Sequence, residues 1–430
     1  MLNFRAGKRM RVSKARLARF RLLAYRSCKR TELTPEKAVT ALIGTNGSGK
    51  TNLLQGLRLL STTRRRRVND EDELYTSKCR IEADFIVKKK TVRYRASITY
   101  RPTEAAREDV VISAEKWNLE DITGKPEWIG DQELNFLARV SSSGPYFYYH
   151  TPGGGKIRLS SDGPWKKGST AKLSKEALAA LRAIHEFRSA ISYYSASQFT
   201  NPSLCPTSFD IDEDGDLLRE ATVARRQAHT RFIYDLYKLS RDNREAYDAF
   251  LSLVDKRGVR LIDRIHWRDV KFSSPTYEVR SGGAVINRRR TRIMIIPTVY
   301  VGSAQLSFNQ LSEGTLRTLA MLFHITTDKS EMLLIEEPEV CVHHGLLKSV
   351  IEVIKEFGRS KQIIFSTHSE AVLDSLTPED IRLVKRTEER GTEVTTLSKA
   401  MSHTGYAALR KYLETTGSLG EFWRHSGFTK

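Results

Sequence analysis

The chain has 430 residues, 40% apolar and 9% aromatic, and sets 71 Lys and Arg against 51 Asp and Glu for a net charge of +20. That length suits two or three units of roughly 150 residues, the apolar share excludes a disordered chain, and the basic excess favours polyanionic partners without choosing among nucleic acid, nucleotides and acidic proteins. Four scattered cysteines (Cys28, Cys79, Cys205, Cys341) without a C-x-x-C pair argue against a disulfide framework and a structural zinc site, and apolar runs such as "MLLI" fall far short of the ~20 residues of a membrane helix.

The start "MLNFRAGKRMRVSKARLARF" is basic but lacks an apolar core of signal-peptide length, so a cytoplasmic protein without membrane contact is expected. "ARLARFRLLAY" and "KAVTALIG" read as strands, and "TNLLQGLRLL" places Leu53, Leu54, Leu57 and Leu60 at helical spacing. "STTRRRRVNDEDE" reads as an exposed loop. "RIEADFIV", "TVRYRASITY" and "DVVISAEKWNL" predict a small antiparallel meander. The Gly/Ser/Pro-rich stretch 141–169, with its aromatic run "YFYYH", is loop and hairpin material. Helical patterns follow over 172–190 and 217–256, neither with sustained heptads. "TYEVRS", "TRIMIIPTVYV" and "AQLSF" return to strand character. Beyond Leu311 helix and strand alternate, which predicts a parallel sheet with crossover helices.

Gly44-x-x-x-x-Gly49-Lys50-Thr51, between a strand and a helix, has every position of a phosphate-binding loop. In "GTNGSGKTN" the backbone of Gly44, Thr45, Asn46, Gly47, Ser48 and Gly49 can turn its N–H groups inward around phosphates. Lys50 brings positive charge to the β/γ-phosphates, the Thr51 hydroxyl can ligate Mg²⁺, and Asn52 lies in the first helical turn. Such a loop needs an acidic partner. "MLLIEEPE" supplies an apolar strand ending in Glu336, which can hold Mg²⁺, and Glu337, which can polarise the attacking water. In "QLSEGTLRTLAML" Ser312 fits a helix N-cap beside Glu313 and Gly314, where free N–H groups would meet a phosphate. "QIIFSTHSEAVL" sets His368 at the end of a buried strand, as a structural histidine or a γ-phosphate sensor.

In this order the four stretches resemble the ABC-type ATPases, specifically the soluble branch that includes RecF-, SMC- and OLD-like proteins. The resemblance covers about the first 100 residues and Val259 to the C-terminus. It implies an α/β P-loop NTPase with a mixed strand and helix insertion, organised as residues 1–100 (N-terminal lobe), 101–258 (insertion) and 259–430 (C-terminal lobe). It implies ATP and Mg²⁺ as cofactors and ATP hydrolysis as the activity. Ser312, Glu313 and Gly314 correspond to the signature turn, which in this family contacts ATP held by the partner subunit. Glu337 corresponds to the catalytic glutamate, His368 to the switch histidine, and "EEPEVCVHH" maps His343 onto a family histidine, with His344 replacing a proline. The signature reads LSEGT rather than LSGGQ and the magnesium carboxylate is Glu336 rather than aspartate, both common in this branch. No glutamine matches the family's metal-sensing loop.

The long stretch from Thr51 to Leu311 excludes a transporter ATPase, and it carries neither SMC-length heptads nor a zinc-hook C-x-x-C. "DIDEDGDLLREATV" resembles a D-G-x-N-L element with Leu217 in place of asparagine; as a calcium loop it fails at Ala221. The tail after His368 is too short for the Toprim domain of OLD nucleases, so no nuclease activity is expected in this chain. "SLGEFW…SG" is similar to the tail of ATPases in two-gene anti-phage systems such as PARIS and Septu, which implies a sensor or scaffold ATPase paired with a separate Toprim-like or HNH-like effector; the ABC-type resemblance implies an ATP-sandwich homodimer or a higher oligomer of this chain. The runs Arg64–Arg67 and Asn287–Arg292 read either as a solvated loop or an edge strand, or as contacts to phosphate backbones, and DNA or an acidic phage protein suits them equally. A RecF-like repair ATPase acting on DNA, and a scaffold that keeps ATP without hydrolysing it, are the alternative readings.

Overall fold

The computed structural model describes residues 15–61, 66–67, 78–102, 108–124, 128–129, 141–143, 146–150, 156–159, 175–195, 199–212, 217, 224–279, 285–342, 344–415 and 417–426. Of these, residues up to 194, 329–338 and from 351 onward form one compact unit, and 195–328 with 339–350 form the other.

The first unit begins with β1 (Ala15–Tyr25), β2 (Cys28–Leu33) and β3 (Val39–Ile43), then helix α1 (Lys50–Arg58). β1 buries Leu17, Phe20 and Leu22 and turns Arg19 and Arg21 to the other face, where they pair with Asp84 and Glu82 across the strands at 2.8 and 3.0 Å. A two-residue strand β4 (Arg66–Arg67) precedes β5 (Lys78–Val87), β6 (Lys90–Pro102) and β7 (Glu108–Asn118). Arg66 pairs with Val110 of β7, so that part of the arginine run is an edge strand, one of the two structural forms the sequence leaves open. The predicted antiparallel meander is present as β5, β6 and β7. It continues the N-terminal hairpin in one sheet, of order β2-β1-β5-β6-β7-β4, that runs across residue 100. Helix α2 (Glu120–Thr123) and β8 (Trp128–Ile129), paired with β7, follow. β9 (Ser141–Ser143), β10 (Tyr146–His150) and β11 (Lys156–Leu159) make a separate three-stranded sheet. Helix α3 (Lys175–Ser189) buries Ala177, Ala180, Leu181, Ile184 and Phe187 in the core beneath β1 and β5, and leads into β12 (Ile191–Ser195), a strand absent from the sequence reading.

The second unit holds β13 (Phe209–Ile211), α4 (Ala224–Asp242), α5 (Arg244–Val254), the hairpin β14 (Arg264–Val279) and β15 (Val285–Val301), β16 (Ala304–Leu306) and α6 (Glu313–Thr327). The helical pattern over 217–256 is realised as two helices, α4 and α5. Asn243 leaves helical geometry (φ −148°) and its side chain accepts the Ala246 N–H at 3.1 Å, capping α5. Leu217 lies outside both helices and bridges to Ile211. The core here is aromatic: Phe232 meets Phe308 and Phe323 edge-on at 6.1 and 5.5 Å, and Phe250 meets Phe323 at 5.6 Å, each pair adding about 0.5–1.5 kcal/mol beyond its buried area.

The chain then supplies β17 (Met332–Glu336), α7 (His344–Gly358), β18 (Gln362–Thr367), α8 (Glu370–Leu373), β19 (Ile381–Thr387), β20 (Gly391–Thr396), α9 (Leu397–Ala400), α10 (His403–Thr415) and α11 (Leu419–Ser426). The strands join β12 and β3 in a sheet of order β12-β17-β18-β3-β19-β20. β17, β18, β3 and β19 run parallel as predicted, while β20 returns antiparallel through a hairpin. β3 and β18 are buried at every position, as strands covered on both faces must be. Gln362 ties the two large sheets together: its side chain accepts the Leu17 N–H at 2.7 Å and donates to Leu17 O and Glu36 O at 2.9 Å. This is a mixed α/β architecture built on a largely parallel central sheet. Among the described residues no helix is long and apolar enough to cross a membrane.

Candidate active site

Ligands of a parallel sheet bind beyond the carboxyl ends of its strands, and the register brings the predicted residues to that edge. Glu336 pairs with Ser366, and Thr367 pairs with Ile43, so β17, β18 and β3 end level. Gly44 follows β3, Glu337 follows β17 and His368 follows β18.

The loop after β3 is shaped by its glycines. A Cβ on Gly44 would stand 2.2 Å from the Val384 carbonyl oxygen, so nothing larger fits there. Gly49 caps α1 with φ +102°, a left-handed conformation that costs other residues roughly 1–2 kcal/mol. Thr45, Asn46 and Gly47 form the exposed crest of the loop, and Ser48 lies beneath it. Leu53, Leu54 and Leu57 bury the opposite face of α1, at about 1.5–3 kcal/mol each, which fixes the helix under the loop. The Lys50 ammonium is buried and donates to Gly44 O and Thr45 O at 2.8 and 3.1 Å, across the mouth of the loop. Asn52 donates to Ser27 Oγ at 2.7 Å and so braces the helix start against the β1–β2 turn.

The acidic residues meet this loop from β17. Thr51 Oγ1 donates to Glu336 Oε1 at 2.5 Å, which joins the two residues predicted to hold the metal. Glu337 has φ +43°, an uncommon left-handed conformation for a side-chain-bearing residue. It is held by its N–H, which donates to Ser366 O at 3.1 Å. Strain of this kind costs of order 1–3 kcal/mol and gathers at functional sites. The turn aims the Glu337 carboxylate at His368, whose Nδ1 lies 3.5 Å from Oε1. The imidazole and the carboxylate are both partly exposed at the sheet edge.

One residue at this edge has no counterpart in the sequence reading. Tyr193, from β12, donates its hydroxyl proton to Glu336 Oε2 at 2.5 Å. Its ring lies 5.0 Å beneath the Arg58 guanidinium.

The turn expected to act as the signature belongs to the other unit. Ser312 is the N-cap of α6: its hydroxyl accepts the Thr315 N–H at 3.2 Å. Ser312, Glu313 and Gly314 are exposed, Glu313 pairs with Arg317 one turn on, and Gly314 O accepts from Thr318 Oγ1 at 2.7 Å. The turn is a preformed helix terminus open to solvent, a geometry that suits an anion. His343 lies outside the described residues, as do most of the element around "DIDEDG" and Arg64–Arg65.

The residues fit ATP with Mg²⁺. Thr51 and Glu336 bring together a hydroxyl and a carboxylate, the hard oxygen ligands that Mg²⁺ prefers, and such sites are usually completed by phosphate oxygens and water. Among the described residues no cluster of three or more His, Cys, Asp or Glu could hold a metal unaided. Ser48 Oγ, buried in the loop, has no hydrogen-bond partner, which matches a cradle built around a missing polar group.

Comparison with known proteins gives a family. Residues 39–139 and 156–374 match the sequence model of the family described as "AAA domain, putative AbiEii toxin, Type IV TA system". No curated protein matches the chain. Similar solved structures include an SMC head bound to the C-terminal winged-helix domain of ScpA, at 13% identity over 89% of this chain and 98% of that one, TM-score 0.43. They also include the SMC head domain of Thermotoga maritima, at 11% identity over 89% and 98%, TM-score 0.41. A third is the Smc head with extended coiled coil bound to the C-terminal domain of ScpA from Pyrococcus furiosus, at 12% identity over 93% and 99%, TM-score 0.42.

Proposed function

Because the chain belongs to this AAA-domain family, we propose that it is an ATP-hydrolysing, ABC-type ATPase whose copies close in pairs around nucleotide. The observation that carries the reading is the gathering of Lys50, Thr51, Glu336, Glu337 and His368 at one sheet edge. In this reading Lys50 and the loop N–H groups hold the β/γ-phosphates, Thr51 and Glu336 hold Mg²⁺, which would withdraw charge from the phosphates, and Glu337 takes a proton from the attacking water. His368 steadies Glu337 and contacts the γ-phosphate. Ser312, Glu313 and Gly314 of a second copy cover the triphosphate from the other side. The family description names a toxin–antitoxin system, a context in keeping with a cytoplasmic sensor or scaffold that controls a separate nuclease or toxin chain in anti-phage defence.

Mixing two inactive variants tests the pairing. Lys50→Ala removes the phosphate lysine from both sites of a dimer, and Ser312→Arg blocks both signature turns. A mixed dimer contains one site that joins an intact Lys50 to an intact Ser312. The mixture is expected to recover phosphate release to about a quarter of wild type, the share of intact sites in a two-fold dimer after random exchange. No recovery would contradict a shared site.

A second reading, a RecF-like ATPase acting on DNA, is favoured by the β14–β15 ribbon. Its register puts Arg264, His266 and Arg268, all exposed, on the face opposite the buried Ile265, Ile295 and Val299. Arg292 stands on the same basic face, partly engaged by Asp210 at 3.3 Å, and Phe272 opposite it is 47% exposed. Arg288, Arg289 and Arg290 occupy the next positions along β15. A two-stranded ribbon has the width of the DNA major groove. Under this reading a duplex accelerates hydrolysis and log K falls with log salt by about 0.9 per phosphate contacted. Hydrolysis indifferent to duplex would leave the first reading alone.

A further inference from the structure

We infer that Tyr193 is the positioning residue for the metal carboxylate, holding Glu336 in the orientation in which it takes up Mg²⁺. The inference rests on the nucleotide-site reading and adds to it a residue from outside the four motifs.

Both oxygens of Glu336 are engaged, and by different kinds of partner. Oε1 accepts from Thr51 Oγ1, a hydroxyl that is itself a metal ligand in the proposed site. That hydrogen bond and metal ligation compete for the same oxygens. Oε2 accepts from Tyr193, a phenol that can donate to an anion but is a poor metal ligand. Its bond is independent of what Thr51 does. At 2.5 Å it falls in the range of charge-assisted O–H···O⁻ bonds, the stronger class. Without it Glu336, half-buried at the end of β17, would choose among rotamers each time Thr51 let go.

The tyrosine is itself fixed. β12 is the edge strand beside β17, and the Tyr193 ring packs against the core of its unit. Arg58 covers the ring at 5.0 Å and is steadied by Gln55 Oε1 at 3.2 Å. Thr51 and Arg58 sit at opposite ends of α1, roughly 10 Å apart at 1.5 Å per residue. One helix thus braces the carboxylate through Thr51 and the tyrosine through Arg58. Partners that orient metal ligands in this way alter metal affinity roughly 10–100-fold when removed.

The test separates metal from nucleotide. Binding of a fluorescent ATP analogue is measured in EDTA, and Mn²⁺ uptake by the nucleotide-loaded protein is followed by electron paramagnetic resonance. For Tyr193→Phe, analogue affinity in EDTA should stay within about twofold of wild type while half-saturation by Mn²⁺ rises about tenfold. Phenylalanine keeps the ring and its packing, and melting without ligand confirms the fold. Glu336→Gln is the reference for full loss of the carboxylate. If Glu336→Gln raises the Mn²⁺ requirement and Tyr193→Phe matches wild type, the positioning role is wrong and the site reading stands. If wild type takes up no Mn²⁺ with nucleotide, or Glu336→Gln leaves the uptake unchanged, the site reading fails and the inference falls with it. Equal loss of affinity with and without metal would also overturn it, because Tyr193 would then be shaping the whole pocket.

Discussion

Lys50→Ala is expected to weaken ATP binding a hundredfold or more, read by equilibrium binding of a fluorescent analogue. A unit charge about 4 Å from a phosphate charge is worth about 4 kcal/mol at an effective dielectric constant of 20, and each 1.4 kcal/mol is tenfold in affinity. Lys50 is 5% exposed, so solvent and salt screen it little. The expected loss is smaller than the full Coulomb figure because the ammonium already donates to Gly44 O and Thr45 O, bonds it exchanges in part for phosphate. Those carbonyls bring a control. If the loop merely collapsed without the lysine, melting of the ligand-free protein would fall as well; an unchanged melting point assigns the loss to the missing charge. Wild-type affinity in the variant would remove the loop from the account.

Glu337→Gln is expected to slow phosphate release roughly 10²–10⁴-fold, the usual worth of a positioned general base, with ATP affinity kept. The amide is close in shape to the carboxylate, so the strained turn at φ +43° and the N–H bond to Ser366 persist. What is lost is the acceptor for the water's proton and the anionic partner of His368 at 3.5 Å. His368→Ala tests the division of labour: if His368 steadies Glu337, its loss lowers turnover by less and adds little to the Glu337→Gln defect, since the two act through one group. Turnover by Glu337→Gln at the wild-type rate would move the base to another residue.

The site divides sharply into what a linear reading can find and what it cannot. The phosphate loop is legible because its chemistry is contiguous: glycines for close approach, a lysine and a hydroxyl must follow one another where a strand hands over to a helix. "MLLIEE" is legible for the same reason, as a buried strand that stops at two carboxylates. Tyr193 is not, since it reaches Glu336 across 143 positions and sits in a short strand of mixed Tyr and Ser that lacks clear alternation. β2, "CKRTEL", escapes similarly: half its residues face solvent, and its pairing is supplied by β1. The meander's merger with β1 is a matter of tertiary register, which no local pattern encodes. The break at Asn243 is carried by one N-cap residue inside a run whose apolar spacing continues on either side, so periodicity alone does not mark it.

The central claim is that two copies share each nucleotide, and the mass of the Glu337→Gln protein with ATP and Mg²⁺ tests it most directly. Native mass spectrometry is expected to find two chains holding two ATP, returning to single chains when Ser312→Arg is added. A single chain that keeps its ATP tightly bound, indifferent to Ser312, would contradict the account.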